Sequence, residues 1–472
     1  MTRLTEQLRA ALSPGGLLEG SDALDARDRA QARGFRAQLG APSAVLRPQS
    51  TTEVATILRM AHETGRPIVP WGGCTGLVDG AYAEGELALS LERMNAIEEI
   101  DDTNRVMRVQ AGCSLQTACE AAEKRELLLP LDLGARGSAT IGGIISTNAG
   151  GNRVLRWGMM REMVLGLEVV LADGTVVSAL NSLIKNNAGY DIKQLFIGSE
   201  GTLGVLTRAV LRLRPLPTSQ NVALVTVDAF DKLASALRRF ERDLGGTLSS
   251  FEVMWPEFYE LVTTPPAKGR PILPHGQSFY VLIEAKGAAI ETDAERFESV
   301  LGAALEAGEI ADATIAKSDA ERQAMWNLRD DVAQLTRLGP IFPFDVSLKI
   351  TEMAAYVAEV RCALEKRWGS ACRLVVFGHL GDGNLHLIVG IGSDSAHARR
   401  AVEEIIYGLL RDRDSSSISA EHGVGLQKRD YLNCSRSANE IALMRTLKNA
   451  LDPRNILNPG KVLPQRAERA DN

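Results

Sequence analysis

Two of the six histidines, His379 and His386, flank Asp382-Gly383 in the stretch FGHLGDGNLHL, with apolar residues alternating outward on both sides. Alternation around Asp-Gly is a hairpin signal. A two-residue turn at Asp382-Gly383 sets Gly381 against Asn384, Leu380 against Leu385 and His379 against His386. Directly opposed residues share a face with Cβ atoms roughly 4.5–5.5 Å apart. Both imidazoles can then reach one cation, so the pair is a candidate metal site.

A second kind of chemistry is written in glycine. Gly72-Gly73-Cys74-Thr75-Gly76 follows the strand-like RPIVPW, and Pro130 to Asn152 (PLDLGARGSATIGGIISTNAGGN) mixes glycines with Ser138, Thr140, Ser146, Thr147 and Asn148. Gly198 to Gly204 (GSEGTLG) makes a third such loop. Glycines after strands let backbone N–H groups approach a phosphate, because no Cβ stands in the way. Such loops make a poor core and a good lining for an extended anionic ligand. The first strand is not followed by GxGxxG, which argues against the usual dinucleotide crossover.

The elements that must hold these groups follow from periodicity. AVLRP reads as a strand, Thr51-Thr52-Glu53 as the cap of a helix through about Glu63, and RVMRVQAG and MVLGLEVVLADGTVV as strands, the latter turning at Asp173-Gly174. The first domain closes near Arg214-Pro215-Leu216-Pro217. Beyond it, NVALVTVDAF, SSFEVMW and FYVLIEA read as strands and DKLASALRRFERDLG and ETDAERFESVLGAALEAG as helices, an α+β domain with an antiparallel sheet. A final helix from about Asn439 leads into Pro453 to Lys461, a turn that returns the chain to the first domain. His275 lies in a Pro/Gly-rich loop, and His62 and His397 lie on helices among polar neighbours, so all three read as surface histidines.

Composition narrows the classes. The chain has 472 residues, 45% hydrophobic and 24% charged, with a formal net charge of -6, as for a multi-domain globular protein without a basic field for nucleic acid. Six scattered cysteines lack CxxC spacing and read as reduced thiols, and no window approaches a membrane span. A cytoplasmic location is expected.

In order, the stretches PWGGCTGLVDG, GSATIGGIISTNAGG, NNAGYDIKQLFIGSEGTLGVLT, GHLGDGNLH, EHGVG and LDPRNILNPGKVL resemble the FAD-binding PCMH/vanillyl-alcohol oxidase superfamily. The similarity is greatest to its D-2-hydroxyglutarate and D-lactate (glycolate) dehydrogenase branch and covers Pro42 to Leu463. It implies an α+β fold: an N-terminal helical segment (1–37), a two-part PCMH-type FAD-binding domain (38–217), a cap for substrate and metal (218–438) and a C-terminal segment packing on the FAD domain (439–472). It implies FAD held along Trp71, Gly72, Gly73, Cys74, Thr75, Gly76 and Leu77, then Leu133, Gly137, Ser138, Ile141, Gly142, Gly143, Ser146 and Asn148. Glu200, Val205, Asn458 and Lys461 complete that set. The family's covalent members carry a histidine where Cys74 stands, so non-covalent FAD is expected.

The resemblance further implies that His379, His386 and Glu421 bind a divalent cation, zinc or manganese, that His422 is the catalytic base, and that Arg329 clamps the substrate carboxylate. FAD-dependent oxidation of a D-2-hydroxy acid is the implied activity, passing electrons to an acceptor such as a quinone, an electron-transfer flavoprotein or a cytochrome. A homodimer is compatible with the sequence. Members that oxidise D-2-hydroxyglutarate hold the distal carboxylate with a threonine, a lysine and an asparagine. Here those positions read Ala333, Pro343 or Phe344, and Ile388. A second carboxylate buried against apolar residues would be unpaired and costly. The pocket therefore reads as built for a monocarboxylate with an apolar side chain, D-lactate or larger, with D-2-hydroxyglutarate or D-malate as the alternative.

Overall fold

A computed structural model describes residues 2–33 and 38–464; residues 34–37 of the N-terminal segment lie outside it, as does the end of the C-terminal one. The chain folds as two units: Met1–Gly151, Gly158–Leu216 and Glu421–Asn472 form the first, and Asn152–Trp157 with Pro217–Ala420 the second. The chain returns to the first unit at Glu421, where the sequence suggested 439. It also leaves that unit for six residues, Asn152 to Trp157.

In the first unit, strands Ala44–Leu46, Leu87–Ser90 and Ile68–Trp71 pair in parallel. Helix Thr51–Thr64 makes the crossover; Ser50, rather than Thr51, is its cap, its side chain accepting from the Glu53 N–H. Val54, Ile57, Leu58 and Ala61 recur at helical spacing and are the buried face. Gly65, at φ +67°, ends the helix in the left-handed region that suits glycine. A five-stranded antiparallel sheet follows, in the order Ile97–Asp101, Val106–Gln110, Val205–Arg212, Val164–Val170, Val176–Ala179.

The C-terminal segment docks on the parallel sheet: the Ile68 N–H donates to Ile456 O at 2.8 Å and the Asn458 N–H to Ile68 O at 2.8 Å. Helix Ala438–Leu451 holds it there. Buried Lys448 donates to Thr202 O at 2.9 Å, Leu457 O at 2.8 Å and Asp452 Oδ2 at 2.5 Å. Asp452 in turn takes the N–H groups of Ile456 and Leu457.

The second unit is built on a seven-stranded antiparallel sheet ordered Asp312–Ile315, Ser219–Val227, Phe279–Gly287, Leu248–Met254, Arg373–His379, Asn384–Gly390, Ile341–Ser347. One face carries Leu224, Met254, Leu282, Val375, Phe377 and Ile388, packed with Phe258, Tyr259, Met325 and Leu328 of helices Pro256–Thr263 and Asp319–Asp330. Helices Phe230–Asp243 and Ala396–Arg411 cover the other face, through the pairs Phe240–Phe251 and Tyr407–Phe344.

Candidate active site

The register of the second sheet draws its ionisable residues into a row on the first face. Cα partners are Ser250 with Glu284, Glu252 with His379, Phe377 with His386, and Asp345 with His386. Side chains alternate across a strand, so Glu284, Glu252, His379, His386 and Asp345 all point the same way. The expected pairing of His379 with His386 is corrected: His386 faces Phe377. Leu380–Asp382 form a 3-10 turn ending at Gly383 (φ +84°), longer than the two-residue turn expected at Asp382-Gly383. The register is thus displaced by an even number of residues, which leaves both histidines on one face. Their ring centroids lie 5.3 Å apart.

Each histidine has a buried carboxylate beside it. His379 Nδ1 lies 2.9 Å from Glu252 Oε1, and Arg329 Nε donates to Glu252 Oε2 at 2.8 Å. Arg329 Nη2 is 3.3 Å from His379 Nε2, and its guanidinium lies 4.9 Å over the Phe377 ring. Glu252 is 1% exposed and Arg329 4%. Burial would raise the Glu252 carboxyl, but the neighbouring His379 and Arg329 outweigh it and hold it below the usual range. Asp345, fully buried, accepts from Asn384 Nδ2 at 2.9 Å and the Ala420 N–H at 3.1 Å, with Oδ1 3.9 Å from His386 Nδ1. Glu421 is the next residue along the chain from Ala420.

Pro343 pairs with Ile388, on the histidine face, whereas Phe344 pairs with Leu387 and packs on Tyr407 at the opposite face. Of the two positions left open by the sequence, the strand phase therefore places Pro343, not Phe344, on the side of His379 and His386. Ala333 lies in the exposed turn of Val332–Leu338.

In the first unit, a cavity of 370 Å³ is lined by Trp71 to Leu77, Leu133, Gly142, Gly143, Ser146, Glu200, Val205, Asn458, Glu421 and His422. Gly137, Ser138, Ile141, Asn148 and Lys461 do not line it. Ile141 is core, Ser138 offers its carbonyl to the back of Gly73, Asn148 Oδ1 accepts the Arg161 N–H, and Lys461 lines a neighbouring cavity. Sequence reasoning missed Leu39, Val78, Gly134, Thr140 and Gly201 as lining; their types carry no signal apart from the glycines.

Three observations show what the cavity can hold. A Cβ on Gly73 would stand 2.0 Å from Ser138 O, so two glycine loops interlock behind the ligand space. A Cβ on Gly76 or Gly134 would meet nothing within 4 Å, which leaves room for a ligand against the backbone. Asn458 Nδ2 donates to Gly80 O at 3.0 Å and Glu200 O at 2.8 Å, while its buried Oδ1 has no hydrogen-bond partner among the described residues. An unsatisfied buried acceptor calls for a donor such as a flavin ring N–H. The residues fit FAD.

Glu200 lines the cavity, and its side chain also holds a neighbouring loop. Its Oε1 and Oε2 accept the N–H groups of Val424 (2.7 Å) and Gly425 (2.9 Å). Burial pushes this carboxyl above the usual range, against the pull of those two donors. A Cβ on Gly423 would meet Glu200 Oε1 at 2.9 Å, and one on Gly425 would meet Val78 O at 2.1 Å. Only glycine tolerates the close approach that fixes the segment carrying Glu421 and His422 against the cavity.

Comparison with known proteins agrees with this geometry. A family model described as "FAD binding domain" matches residues 42–180, and one described as "FAD linked oxidases, C-terminal domain" matches 216–462.

The chain belongs to the FAD-linked oxidases.

Relatives of this FAD-linked oxidase include the mitochondrial D-2-hydroxyglutarate dehydrogenase of Bos taurus, 42% identical over 435 residues (92% of this chain, 79% of the relative). The D-2-hydroxyglutarate dehydrogenase of Xanthomonas citri pv. viticola is 40% identical over 428 residues (89% of each). Among solved structures, p-cresol methylhydroxylase superposes with a TM-score of 0.77 at 17% identity, covering 98% of this chain and 97% of that one. These neighbours establish the PCMH-type α+β fold expected from the sequence. No helix among the described residues is long and apolar enough to cross a membrane.

Proposed function

We propose that the protein oxidises a D-2-hydroxy acid to the 2-oxo acid, with FAD, a divalent cation and a histidine base. The observation that carries this is His422 on the wall of the cavity that fits FAD. The Glu200 carboxylate fixes the backbone two residues further on by accepting the Val424 N–H at 2.7 Å. A neutral imidazole has one ring nitrogen with a free lone pair, the kind of group that accepts a substrate hydroxyl proton in general-base catalysis. Bound FAD supplies the hydride acceptor, its reaction being intrinsic to the cofactor.

His379 and His386, with Glu421 beside the chain's Asp345-bound Ala420, are the proposed cation ligands. Two imidazoles and a carboxylate suit zinc or manganese, and such a cation when bound lowers the pKa of a coordinated hydroxyl. Arg329 is the proposed carboxylate clamp, its planar fork suited to bidentate binding. Nε is committed to Glu252 and Nη2 lies 3.3 Å from His379 Nε2, so a substrate carboxylate would meet the fork at its Nη1 end.

For the substrate side chain, Pro343 and Ile388 lie next to each other on the histidine face and offer no donor to a second carboxylate. This favours a monocarboxylate with an apolar side chain. D-2-Hydroxyglutarate is the second reading, favoured by the names of the relatives at 40–42% identity. Anaerobic flavin bleaching with D-lactate, D-2-hydroxybutyrate, D-malate and D-2-hydroxyglutarate decides between them. Faster bleaching by the monocarboxylates is expected, and preference for a dicarboxylate overturns the apolar-pocket reading. His422→Ala is expected to abolish bleaching nearly completely while flavin stays bound.

A further inference from the structure

We infer that Glu252 is a positioning residue that sets which nitrogen of His379 is offered to a cation. The inference rests on the proposed metal role of His379 and His386. Glu252 is the only acid in the strand Leu248–Met254, all of which is buried. A charge in such a strand is retained only where it is paired and hydrogen-bonded. Here one carboxylate serves two partners: His379 Nδ1 lies 2.9 Å from Oε1 and 2.8 Å from Oε2, and Oε2 also accepts from Arg329 Nε at 2.8 Å.

A carboxylate oxygen beside Nδ1 can only accept, so the proton sits on Nδ1 and the lone pair on Nε2. That is the tautomer a metal needs, and carboxylates in this position raise ligand basicity as well as fixing the ring. The same carboxylate does a second thing. Arg329 Nη2 already lies 3.3 Å from His379 Nε2, so guanidinium and cation compete for one lone pair. The negative charge of Glu252 also offsets the guanidinium next to an incoming cation. Without it, His379 is free to take the other tautomer.

The test uses the full chain carrying FAD, stripped of metal with a chelator and titrated with Zn²⁺ by calorimetry. Glu252→Gln keeps the shape and removes the charge, and a loss of zinc affinity of about 10- to 100-fold is expected. Glu252→Asp keeps the charge but shortens the reach, and is expected to bind zinc with intermediate affinity. In metal-free protein, nitrogen NMR of the histidines should show Nδ1–H for His379 in the parent and mixed tautomers in Glu252→Gln, which a merely structural loss does not produce. Retained flavin and circular dichroism report folding. His379→Ala and His386→Ala separate the two failures: parental zinc affinity in both sinks the metal reading itself. If they lose zinc while Glu252→Gln and Glu252→Asp bind like the parent, the positioning role is overturned. Should Glu252→Gln not fold, the affinity and His379 tautomer of Glu252→Asp decide alone.

Discussion

Replacing Glu284 by Gln removes one charge from a buried carboxylate of the second unit that accepts five hydrogen bonds. Its Oε1 accepts from Gln220 Nε2 (2.7 Å), Trp326 Nε1 (3.1 Å) and Arg153 Nη2 (3.3 Å), and its Oε2 from Ser249 Oγ (2.8 Å) and Arg153 Nε (2.9 Å). Whichever way the amide is turned, its NH₂ faces an Arg153 donor. Burial would raise the carboxyl, but the Arg153 and Lys286 charges and the bonds from Arg153 and Ser249 overcome it and lower the pKa to about 2. Against an ordinary 4.5, that gap is worth roughly 3 kcal/mol at neutral pH. Breaking a buried pair by removing one partner costs about 3–5 kcal/mol, so the two routes agree. The sign follows from the lowered folded pKa: the stabilisation is complete above pH 4.5 and is lost as pH falls toward 2. The parent-minus-variant difference should therefore be roughly 3 kcal/mol at pH 7 and about 2 kcal/mol at pH 3.5. Urea titrations read by tryptophan fluorescence measure it, Trp326 being one of the partners. A penalty under about 1 kcal/mol at pH 7, or a difference that does not shrink at pH 3.5, refutes the assignment.

Two further outcomes follow from the flavin cavity. Gly73→Ala drives a Cβ into Ser138 O, and overpacking of about 1–3 kcal/mol should weaken FAD binding roughly 5- to 150-fold and also destabilise the flavin-free protein. Gly76→Ala should weaken FAD without destabilising the flavin-free protein, because its Cβ meets no protein atom; thermal melts of both apo variants check this. Cys74 is buried at φ +55°, and burial pushes its thiol up to about 12, so it is not a thiolate nucleophile at neutral pH. All flavin should be released into the supernatant on acid precipitation; coloured precipitate would show a covalent link.

Local chemistry was readable in the sequence where it depended on near neighbours. The shared face of His379 and His386 survived a wrong turn length because the period of a strand is two, and an even displacement changes partners but not faces. The alternative of Pro343 or Phe344 stayed open for the converse reason: one residue of phase decides the face, and a Pro-containing strand gives no alternation to read it from. The glycine loops and the returning tail were legible as motifs, yet Ile141 and Asn148 within them are core and turn rather than lining. Glu252 and Glu284 were missed because their partners come from strands and helices far along the chain. The signal present was an acid inside an otherwise apolar strand, FEVM and LIEA, which demands a buried partner without naming it. The six-residue excursion that carries Arg153 has no sequence signature.

The Glu200 corner also bears on the order in which the molecule can assemble. It is tied to Val424 and Gly425, residues 224 and 225 positions away, and to Asn458, 258 away. Almost all of the second unit, Pro217–Ala420, is spelled out between the two halves of that corner. A ribosome therefore delivers the inserted unit before the cofactor cavity has its last wall. The inserted unit shortens the effective loop only once it has folded and brought its own ends together. Cofactor capture is thus a late event, and a chain that stops before Asn458 lacks the amide that joins Gly80 to Glu200.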